Sequence, residues 1–376
     1  MSFINKVETW ITKSKPSDDG WSKIKPFIFL KLTTDRGYYG WGEAFTLPTR
    51  EKGIVEIIHN LVNSLSHIEN LTPDRFHREV EVIADGHRGI DFSAATSAIE
   101  MSLWDIEGKK KKKPLYKILS SEYRDKVPVY ATIWSKDFKD DETLSSRCEE
   151  ILNQGYGGIK IYPLQKRTID QAAICVSKIR QTLGFNIPLM LDLACPNDPN
   201  VSLKLAPLVK EFKPYWFEEP VDGEATRTLI EIKNQTGLRI VTGEKQCGIN
   251  HFIETLAADA VDIFNPDISS VGGIIDMIKI IELSHKKNVK VSPHCWNSMS
   301  IAASAMIHLC MSFPNTEMAE FFPEYIPYTL KFCNKNFEIN NGFIELDNRE
   351  GLGVKIDTNL LMENTSSYKF SILDKN

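Results

Sequence analysis

The sequence predicts an α/β protein: a modified (β/α)8 barrel of the TIM type with an α+β capping domain. Between about residues 127 and 322, short apolar runs alternate with longer amphipathic stretches, which is typical of repeated βα units around a parallel sheet. Polar residues end successive runs at steps of 23 to 27 residues, close to one βα unit each. An open doubly wound sheet would give a similar alternation, but no glycine-rich phosphate loop follows an early strand.

Eight apolar runs are the candidate barrel strands. In chain order they are VYATIW, GIKIY, PLMLDL, YWFEE, RIVTGE, VDIFNPD, VKVSPH and TEMAEF. Helix-like segments separate them, and between Thr168 and Leu183 apolar residues recur at helical spacing until Gly184 ends the pattern. Eight such alternations in about 200 residues predict a closed barrel.

The first 120 residues and the last 50 or so follow a different pattern. FIFLKLTTDRGYYGWGEA predicts a β-hairpin that turns at Asp35 to Gly37, and the stretch from Phe92 to Glu107 predicts a helix. The tail has two strand-like pieces, FEINNGFIEL and LGVKI, which are too few to fold alone. We therefore expect an N-terminal α+β capping domain at 1–123, the barrel at 124–322, and a segment at 323–376 that completes the capping domain.

Composition narrows the class of protein. The 376 residues are 42% hydrophobic, enough for a sizeable core, and the net charge of −5 argues against nucleic acid or an anionic membrane as a partner. The run Lys109 to Lys113 is interpreted as a solvated helix end. Seven cysteines without a CxxC pair predict neither a disulfide framework nor a zinc site. No apolar signal core or spanning segment is evident, so we expect a soluble cytoplasmic protein that acts on a small molecule.

Six polar residues end the candidate strands, and the carboxyl ends of barrel strands meet at the rim that carries the active site in such folds. They are Asp192, Glu218, Glu244, Asp267, His294 and Glu320. A single acid at a strand end is usually a helix cap or a loop residue. Six at a nearly constant step indicate one shared site.

The first three of these residues predict a metal site. Asp192, Glu218 and Glu244 end three adjacent strands, and carboxylates brought this close cannot all stay ionised without a counterion. Oxygen ligands with room for water favour Mg²⁺ over Zn²⁺, which prefers nitrogen and sulfur. The sequence therefore predicts Mg²⁺ as the cofactor and no site for an organic cofactor.

The neighbouring strands supply candidates for proton transfer. Asp267 and His294 end consecutive strands, so the carboxylate can orient one ring nitrogen while the other faces the cavity. Lys160 and Tyr162 alternate along the second strand, so both are predicted to point into the barrel. A lysine in that position needs an anion, either a substrate carboxylate or a neighbouring acid such as Asp192.

Along nearly its whole length the chain resembles the enolase superfamily, and within it the mandelate racemase subgroup. The motifs are TTDRGYYGWGEA at 33–44, SAIEMSLWDIEGK at 97–109, WFEEP at 216–220, TGE at 242–244, NPD followed by GG at 265–273, SPH at 292–294 and GLGV at 351–354. The resemblance implies a capping domain, built from both ends of the chain, over a modified (β/α)8 barrel.

The resemblance also implies roles for the predicted site. The three acids match the Mg²⁺ ligands of the family, and Asp267 with His294 matches a catalytic dyad that removes the proton alpha to a carboxylate. Lys160 and the metal would offset the enolate charge, the chemistry that is described for this superfamily. Glu320 matches a glutamate that hydrogen-bonds a substrate oxygen, for which it would have to be protonated, and Glu317 is the less favoured alternative.

Two departures from the subgroup favour one reaction. The family commonly has a second lysine where this chain has Tyr162, and its loss argues against racemisation by two bases. Some acid-sugar dehydratases have a histidine where this chain has Ala194. We therefore expect a dehydratase that converts an aldonate such as gluconate, galactonate, arabinonate or xylonate to a 2-keto-3-deoxy acid. His294 would remove the alpha proton and return it to the departing hydroxyl, with Tyr162 as the alternative acid.

Two other functions remain open. A racemase, epimerase or cycloisomerase of sugar acids would share the enolate intermediate. A catalytically inactive barrel is disfavoured because metal ligands and dyad are both present. Substrate specificity is expected from loops of the capping domain at 15–21 and 46–52, with Trp21 and Arg50 as candidate contacts. By analogy with the family we expect a homo-oligomer.

Overall fold

The computed structural model describes residues 2–13, 25–133 and 140–373. Its described strands are β1 (Ile4–Thr12), β2 (Ile28–Thr34), β3 (Tyr39–Ala44), β4 (Val127–Ile133), β5 (Ile159–Ile161), β6 (Leu189–Asp192), β7 (Trp216–Glu218), β8 (Ile240–Thr242), β9 (Ile263–Phe264), β10 (Lys290–Val291), β11 (Ala319–Phe321), β12 (Phe337–Asn340), β13 (Phe343–Leu346) and β14 (Thr365–Ile372). Its described α-helices are α1 (Glu51–Leu65), α2 (Pro73–Ala84), α3 (Ile90–Lys111), α4 (Tyr116–Leu119), α5 (Asp141–Asn153), α6 (Ile169–Leu183), α7 (Pro199–Val209), α8 (Thr226–Thr236), α9 (Asn250–Ala257), α10 (Ile274–Lys286), α11 (Ile301–Ser312), α12 (Ile326–Thr329) and α13 (Thr358–Glu363).

The capping domain is an antiparallel sheet covered by α1 to α3. Its strand order is β14-β1-β2-β3, so the last strand of the chain pairs with the first. The predicted hairpin is confirmed, because β2 and β3 pair across a turn at Gly37, which has a φ of 81°. Helix α3 extends the predicted Phe92–Glu107 helix at both ends. A Cβ atom at Gly40 or Gly42 would lie 1.9 Å from a carbonyl oxygen of α3, so the close packing of this helix on β3 requires glycine.

The eight predicted barrel strands are all present as a parallel set. They run in the order β11-β4-β5-β6-β7-β8-β9-β10. A parallel bridge between Val291 and Thr316 and a 2.7 Å hydrogen bond from Glu317 N to Val291 O join β10 back to the segment before β11. The barrel therefore closes through a few hydrogen bonds at this position and not through a full ladder.

The helices between the strands follow the sequence signals. Helix α6 begins after Thr168, whose side chain forms a capping box with Gln171, and it ends at Gly184, as predicted. Helix α11 is buried on all sides, because it lies between the barrel and the capping sheet. Neither α11 nor any other helix of the described residues is long and apolar enough to cross a membrane.

The C-terminal segment is shared between the two parts of the fold. Its hairpin β12-β13 pairs with the barrel strand β4, whereas β14 joins the capping sheet. The strand-like piece LGVKI forms no regular strand. Leu352 N donates to Asp105 of α3 at 2.9 Å, and a single bridge joins Ile356 to Cys333. The predicted domain boundaries at residues 123 and 322 stay a proposal. The hairpin β12-β13, which lies after the second boundary, pairs with the barrel and not with the capping sheet.

Candidate active site

The six polar strand-end residues lie together at one rim of the barrel. Asp192 and Glu218 are the last residues of β6 and β7 and stand directly opposite each other in the ladder. Glu244 follows β8, and Asp267 and His294 form a parallel bridge just beyond β9 and β10. Because parallel strands end at the same rim, residues at a nearly constant spacing in the sequence lie close together in the structure.

The three predicted metal ligands converge. Asp192, Glu218 and Glu244 each offer a carboxylate oxygen, and these oxygens lie within 4.8 Å of one another. Burial raises the pKa of all three acids, although the nearby Lys160 opposes this effect. Repulsion from the neighbouring carboxylates raises each pKa further, and that of Asp192 reaches about 6. A hard divalent cation such as Mg²⁺ would offset the repulsion among these buried carboxylates, and their oxygen atoms are the ligands it prefers.

Lys160 is the cation of this acid group. Its Nζ lies 2.6 Å from Glu218 Oε1, 2.7 Å from Glu320 Oε1 and 3.6 Å from Asp192 Oδ2, and the side chain is fully buried. Burial alone would lower the pKa of Lys160, but these carboxylates outweigh it and raise the pKa well above its usual value. The lysine is therefore held as an ammonium beside the predicted metal position.

Two further side chains hold Glu218 in place. Asn265 Nδ2 donates to its Oε1 at 2.9 Å, and Trp216 Nε1 donates to its Oε2 at 2.8 Å. Sequence reasoning did not assign them a role. The position of Asn265 within NPD was the available signal for the first.

The dyad has the predicted geometry. Nδ1 of His294 lies 2.7 Å from Asp267 Oδ2, while Nε2 faces Glu244 and Glu320 at 3.4 and 3.8 Å. Burial alone would lower the pKa of His294, but these three acids outweigh it and raise the pKa to about 10. Asp267 also accepts bonds from Ser269 N and Oγ at 2.8 and 2.5 Å, which fixes the carboxylate that orients the ring.

Glu320 lies beside Lys160 and the dyad histidine, and these two cations favour its ionised form. Its Oε1 contacts Lys160 and the hydroxyl of Thr132, and its Oε2 accepts from Cys295 N at 3.0 Å. Burial would raise its pKa, but Lys160 and His294 outweigh burial and lower it. The expected protonated form is thus disfavoured in the free protein, because two cations face this carboxylate.

The alternative glutamate has a different environment. Glu317 Oε1 accepts from Tyr215 Oη at 2.5 Å and from Arg239 Nη2 at 3.1 Å. Its backbone N–H bonds to Val291 O, where the barrel closes. These contacts account for Glu317 as a structural residue and leave Glu320 as the residue beside the dyad.

Three further residues, Tyr162, Trp21 and Arg50, were predicted to contribute to the site. Tyr162 is buried, and burial together with the charge of Asp192 raises the pKa of its hydroxyl well above the usual value. Trp21 lies outside the described residues. Arg50 is exposed at the start of α1, with its guanidinium 3.5 Å from Asp91. Its role as a substrate contact stays a prediction.

Cys195 and Lys245, which lie close in sequence to the predicted metal ligands, contact a fourth acid. Sγ of Cys195 lies 2.7 Å from Glu219 Oε2 and 2.6 Å from Lys245 Nζ. Thr242 also donates to Glu219, at 2.6 Å. Cys195 therefore lies between Glu219 and Lys245, and the ammonium of Lys245 balances the charge of Glu219.

A second group of possible metal ligands occurs between the capping domain and the barrel. His77, Glu81 and Asp276 approach one another closely enough to hold an ion. However, Arg88 contacts Glu81 and lies 2.8 Å from Asp276 Oδ2, and Lys279 Nζ lies 2.7 Å from His77 Nε2. These resident cations already balance the acids, so this group is an ion-pair network.

Sequence reasoning missed one buried cation near the dyad. Lys25, three residues before β2, is buried, and its Nζ donates to the carbonyl oxygen of Trp296. The ammonium also lies over the rings of Trp296 and Phe45, 4.1 and 4.4 Å from their centroids. Burial lowers its pKa to about 7 against the opposing charges of Asp267 and Glu43. An isolated lysine outside any periodic segment gives no signal in the sequence.

This fold and site define a barrel enzyme of the capped type, with an acid cluster and a His-Asp dyad at the rim. Two family descriptions match the chain: "Enolase C-terminal domain-like" over residues 143–360, and "Mandelate racemase / muconate lactonizing enzyme, N-terminal domain" over residues 20–120. The chain belongs to the enolase superfamily and, within it, to the mandelate racemase subgroup.

Relatives and solved structures agree with this assignment. D-galactonate dehydratase of Klebsiella pneumoniae is 28% identical, with 96% of this chain and 94% of that protein covered. D-gluconate/D-galactonate dehydratase of Picrophilus torridus is 26% identical, with 93% and 89% covered. An enolase from the environmental genome shotgun sequencing of the Sargasso Sea has a TM-score of 0.95 at 45% identity, over 98% of each chain. The 3,6-anhydro-D-galactonate cycloisomerase from Zobellia galactanivorans has a TM-score of 0.88 at 27% identity, over 97% and 100%.

Proposed function

We propose that this enzyme is a Mg²⁺-dependent acid-sugar dehydratase, a carbon-oxygen lyase that converts an aldonate to a 2-keto-3-deoxy acid. The observation that carries the proposal is the placement of His294. Its Nδ1 is bonded to Asp267, and its Nε2 faces the acid group that holds Lys160. Relatives named for the dehydration of gluconate and galactonate support the same substrate class.

Asp192, Glu218 and Glu244 would hold the cation. When bound, Mg²⁺ supplies Lewis-acid stabilisation of the negative charge that develops on the substrate carboxylate. Lys160 would contact the same carboxylate from its buried position, and its permanent positive charge offsets the enolate. Glu320 would then exchange its contact with Lys160 for one with a substrate oxygen, and it would have to take up a proton to donate that hydrogen bond.

His294 would remove the proton from the carbon alpha to the carboxylate. Burial lowers its pKa, and Glu244 is the strongest of the charges that raise it. If Glu244 holds a cation, the charge that raises the imidazole pKa most would be offset, which would favour the neutral base. Asp267 fixes the tautomer, so that Nε2 accepts the proton and the imidazolium is stabilised.

The beta hydroxyl would leave with a proton as water, and the resulting enol would tautomerise to the 2-keto acid. His294 is the simplest donor, because it holds the proton that it has just removed. Tyr162 is the alternative donor. Its raised pKa, caused by burial and the charge of Asp192, keeps the hydroxyl protonated, which suits an acid and not a base. The same property argues against Tyr162 as the second base of a racemase.

A cycloisomerase is the second candidate. The specific observation in its favour is the structural similarity to 3,6-anhydro-D-galactonate cycloisomerase over 97% of this chain. That reaction also fits an enolate formed by one base. In it, a ring oxygen and not a free hydroxyl would receive the proton.

The decisive experiment incubates the purified enzyme with Mg²⁺ and a panel of aldonates that includes gluconate, galactonate, arabinonate and xylonate. We expect formation of a 2-keto-3-deoxy acid from at least one of them. Parallel reactions in D₂O follow the alpha carbon by NMR. Recovery of a deuterated epimer would contradict dehydration and support an epimerase. Turnover of an anhydro-sugar acid, but of no aldonate, would support the cycloisomerase.

A further inference from the structure

The loop that follows His294 has no regular secondary structure. Residues 295–300 lead from the histidine into α11. Buried backbone N–H groups in such a loop need acceptors, because no ladder or helix provides them. One of these acceptors lies within the site, since Cys295 N bonds to Glu320. The next ones come from the capping domain.

Glu43 of the capping strand β3 is the principal acceptor. One oxygen of its fully buried carboxylate accepts from Ser298 N at 2.8 Å, and the other accepts from Ala302 N at 3.0 Å. The helix α11 lacks a side-chain cap from its own Ser300. A carboxylate from another part of the fold therefore performs the N-capping function and ties the loop to the helix start.

Lys25 holds the same loop closer to the dyad. Its ammonium donates to Trp296 O and lies on the ring of Trp296, two residues after the dyad histidine. Phe45 also contacts the ammonium, and its own N–H bonds to Ser269 O at 3.0 Å, in the loop after Asp267. The loop after Asp267 and the loop after His294, together the dyad loops, therefore both contact the capping domain next to β2 and β3.

A contact inside the barrel links this loop to the dyad partner. Asn297, between the two points held by the capping domain, donates to Ser269 Oγ at 2.6 Å and faces Asp267 Oδ1 at 3.4 Å. Displacement of residues 296–298 would therefore disturb both members of the dyad. General-base catalysis is sensitive to such displacement, and a shift of about 1 Å can reduce the rate on the order of 10²-fold.

We propose that Glu43 and Lys25 of the capping domain are positioning residues for proton abstraction. They hold the 295–300 loop and the start of α11, and through them His294, over the acid site. The inference deepens the proposed function and rests on it for its kinetic consequences. Neither residue touches the reacting atoms in this assignment. They act through the backbone of the loop, so the capping domain contributes to the geometry of the dyad as well as covering the barrel.

The test compares Glu43→Gln and Lys25→Met with the matched control Asp105→Asn. The glutamine side chain offers only one acceptor oxygen to two N–H donors, and the methionine side chain keeps the apolar stem of the lysine without its donor. Asp105 is likewise a buried carboxylate of the capping domain that accepts backbone N–H groups, from Trp41 and Leu352 at 2.9 Å, but these lie outside the dyad loops.

The first readout needs no substrate. Hydrogen-deuterium exchange followed by mass spectrometry measures peptides covering residues 294–302 in the full-length, Mg²⁺-loaded protein. We expect exchange there to accelerate at least tenfold in Glu43→Gln and in Lys25→Met, with barrel peptides such as 189–193 unchanged, and no local change in Asp105→Asn. Unchanged exchange in the loop, or equal acceleration everywhere, would overturn the proposal even if the enzyme proves not to be a dehydratase.

The second readout is kinetic, on whichever aldonate the wild type dehydrates. We expect kcat to fall 10- to 100-fold in both variants while KM changes less than about threefold, and the isotope effect with alpha-deuterated substrate to increase. Lys25→Arg, which restores a donor and a charge, should recover most of kcat. A loss of thermal stability with unchanged kcat, or no recovery in Lys25→Arg when Lys25→Met is impaired, would reduce both residues to ordinary structural contacts. If Glu43→Gln fails to fold, the comparison of Lys25→Met with Lys25→Arg tests the proposal by itself.

Discussion

The ammonium nitrogen of Lys160 lies 2.7 Å from Oε1 of Glu320, and both side chains are completely buried. These residues come from the second and eighth barrel strands, which both neighbour β4. Burial raises the pKa of Glu320, but Lys160 and His294 outweigh burial and lower it, and Thr132 and Cys295 N also donate to this carboxylate. We interpret the pair as the resting arrangement of two groups that would separate to receive a substrate carboxylate.

Replacing Lys160 tests this interpretation. In Lys160→Met we expect kcat/KM to fall at least about 10³-fold, because the enolate loses its fixed positive charge. Mg²⁺ should bind more tightly than in the wild type, since no ammonium competes for Asp192 and Glu218, and calorimetric titration measures this. Lys245→Met, which removes a lysine paired with Glu219, is the control. Weaker Mg²⁺ binding in Lys160→Met would contradict the proposed competition.

The dyad makes a second prediction. His294→Asn should lower kcat on the order of 10⁴-fold, because the base is lost, while Mg²⁺ should bind at least as tightly as in the wild type. Steady-state kinetics and a metal titration give the two values. Since asparagine keeps the polarity and much of the volume of the histidine side chain, a folded variant is expected. Retained turnover would refute the assignment of His294 as the base.

The acid group predicts stabilisation by metal. At about 100 times its Kd, Mg²⁺ should stabilise the wild type by about 2.7 kcal/mol, measured by chemical denaturation with and without EDTA. In Asp192→Asn we expect most of this stabilisation to disappear. Glu81→Gln, in the ion-pair network at the domain boundary, should keep it. An equal loss in both variants would indicate that the metal acts elsewhere.

Replacing Tyr162 tests which group protonates the leaving hydroxyl. If His294 returns its own proton, Tyr162→Phe should retain kcat within about tenfold. If the tyrosine is the acid, alpha-proton exchange with D₂O should continue in the variant while 2-keto-3-deoxy acid formation nearly stops. NMR of the alpha carbon and a keto-acid assay, run on the same samples, separate the two outcomes. We expect the first.

His308 on α11 predicts a dependence of stability on pH away from the site. Burial lowers the pKa of its imidazole to about 3, so the folded protein binds fewer protons than the unfolded chain between pH 3 and pH 6.5, the ordinary value. Stability from this group is therefore complete above pH 6.5 and is lost as the pH falls toward 3. His308→Gln keeps an acceptor for the 3.3 Å bond from Tyr116 N but does not titrate.

Chemical denaturation at pH 7 and pH 4.5 measures this effect in the metal-free protein. Between these two values, the wild type should lose about 2.5 kcal/mol more unfolding free energy than His308→Gln. The baseline difference between the two proteins cancels in this comparison. An equal loss in both would show that the imidazole titrates normally in the folded state.

The sequence by itself determined the architecture and most of the acid site. Eight βα repeats impose a barrel, and parallel strands must present their carboxyl ends at one rim, so the spacing from Asp192 to Glu320 was sufficient to bring those residues together. The contact between Asp267 and one ring nitrogen of His294 was predictable for the same reason, because these two residues end neighbouring strands. These are consequences of periodicity, which a sequence displays directly.

Only the tertiary structure decided the charge state and the supports of the site. Lys160 lowers the pKa of Glu320 because it lies beside this carboxylate, and the distance between the two side chains depends on how their strands flank β4. Glu43 caps α11 from more than 250 residues away in sequence, and Lys25 reaches Trp296 from a segment with no periodic pattern. Likewise the hairpin β12-β13 pairs with the barrel and not with the capping sheet. Such contacts arise from the docking of separate elements, and no local pattern encodes which elements meet.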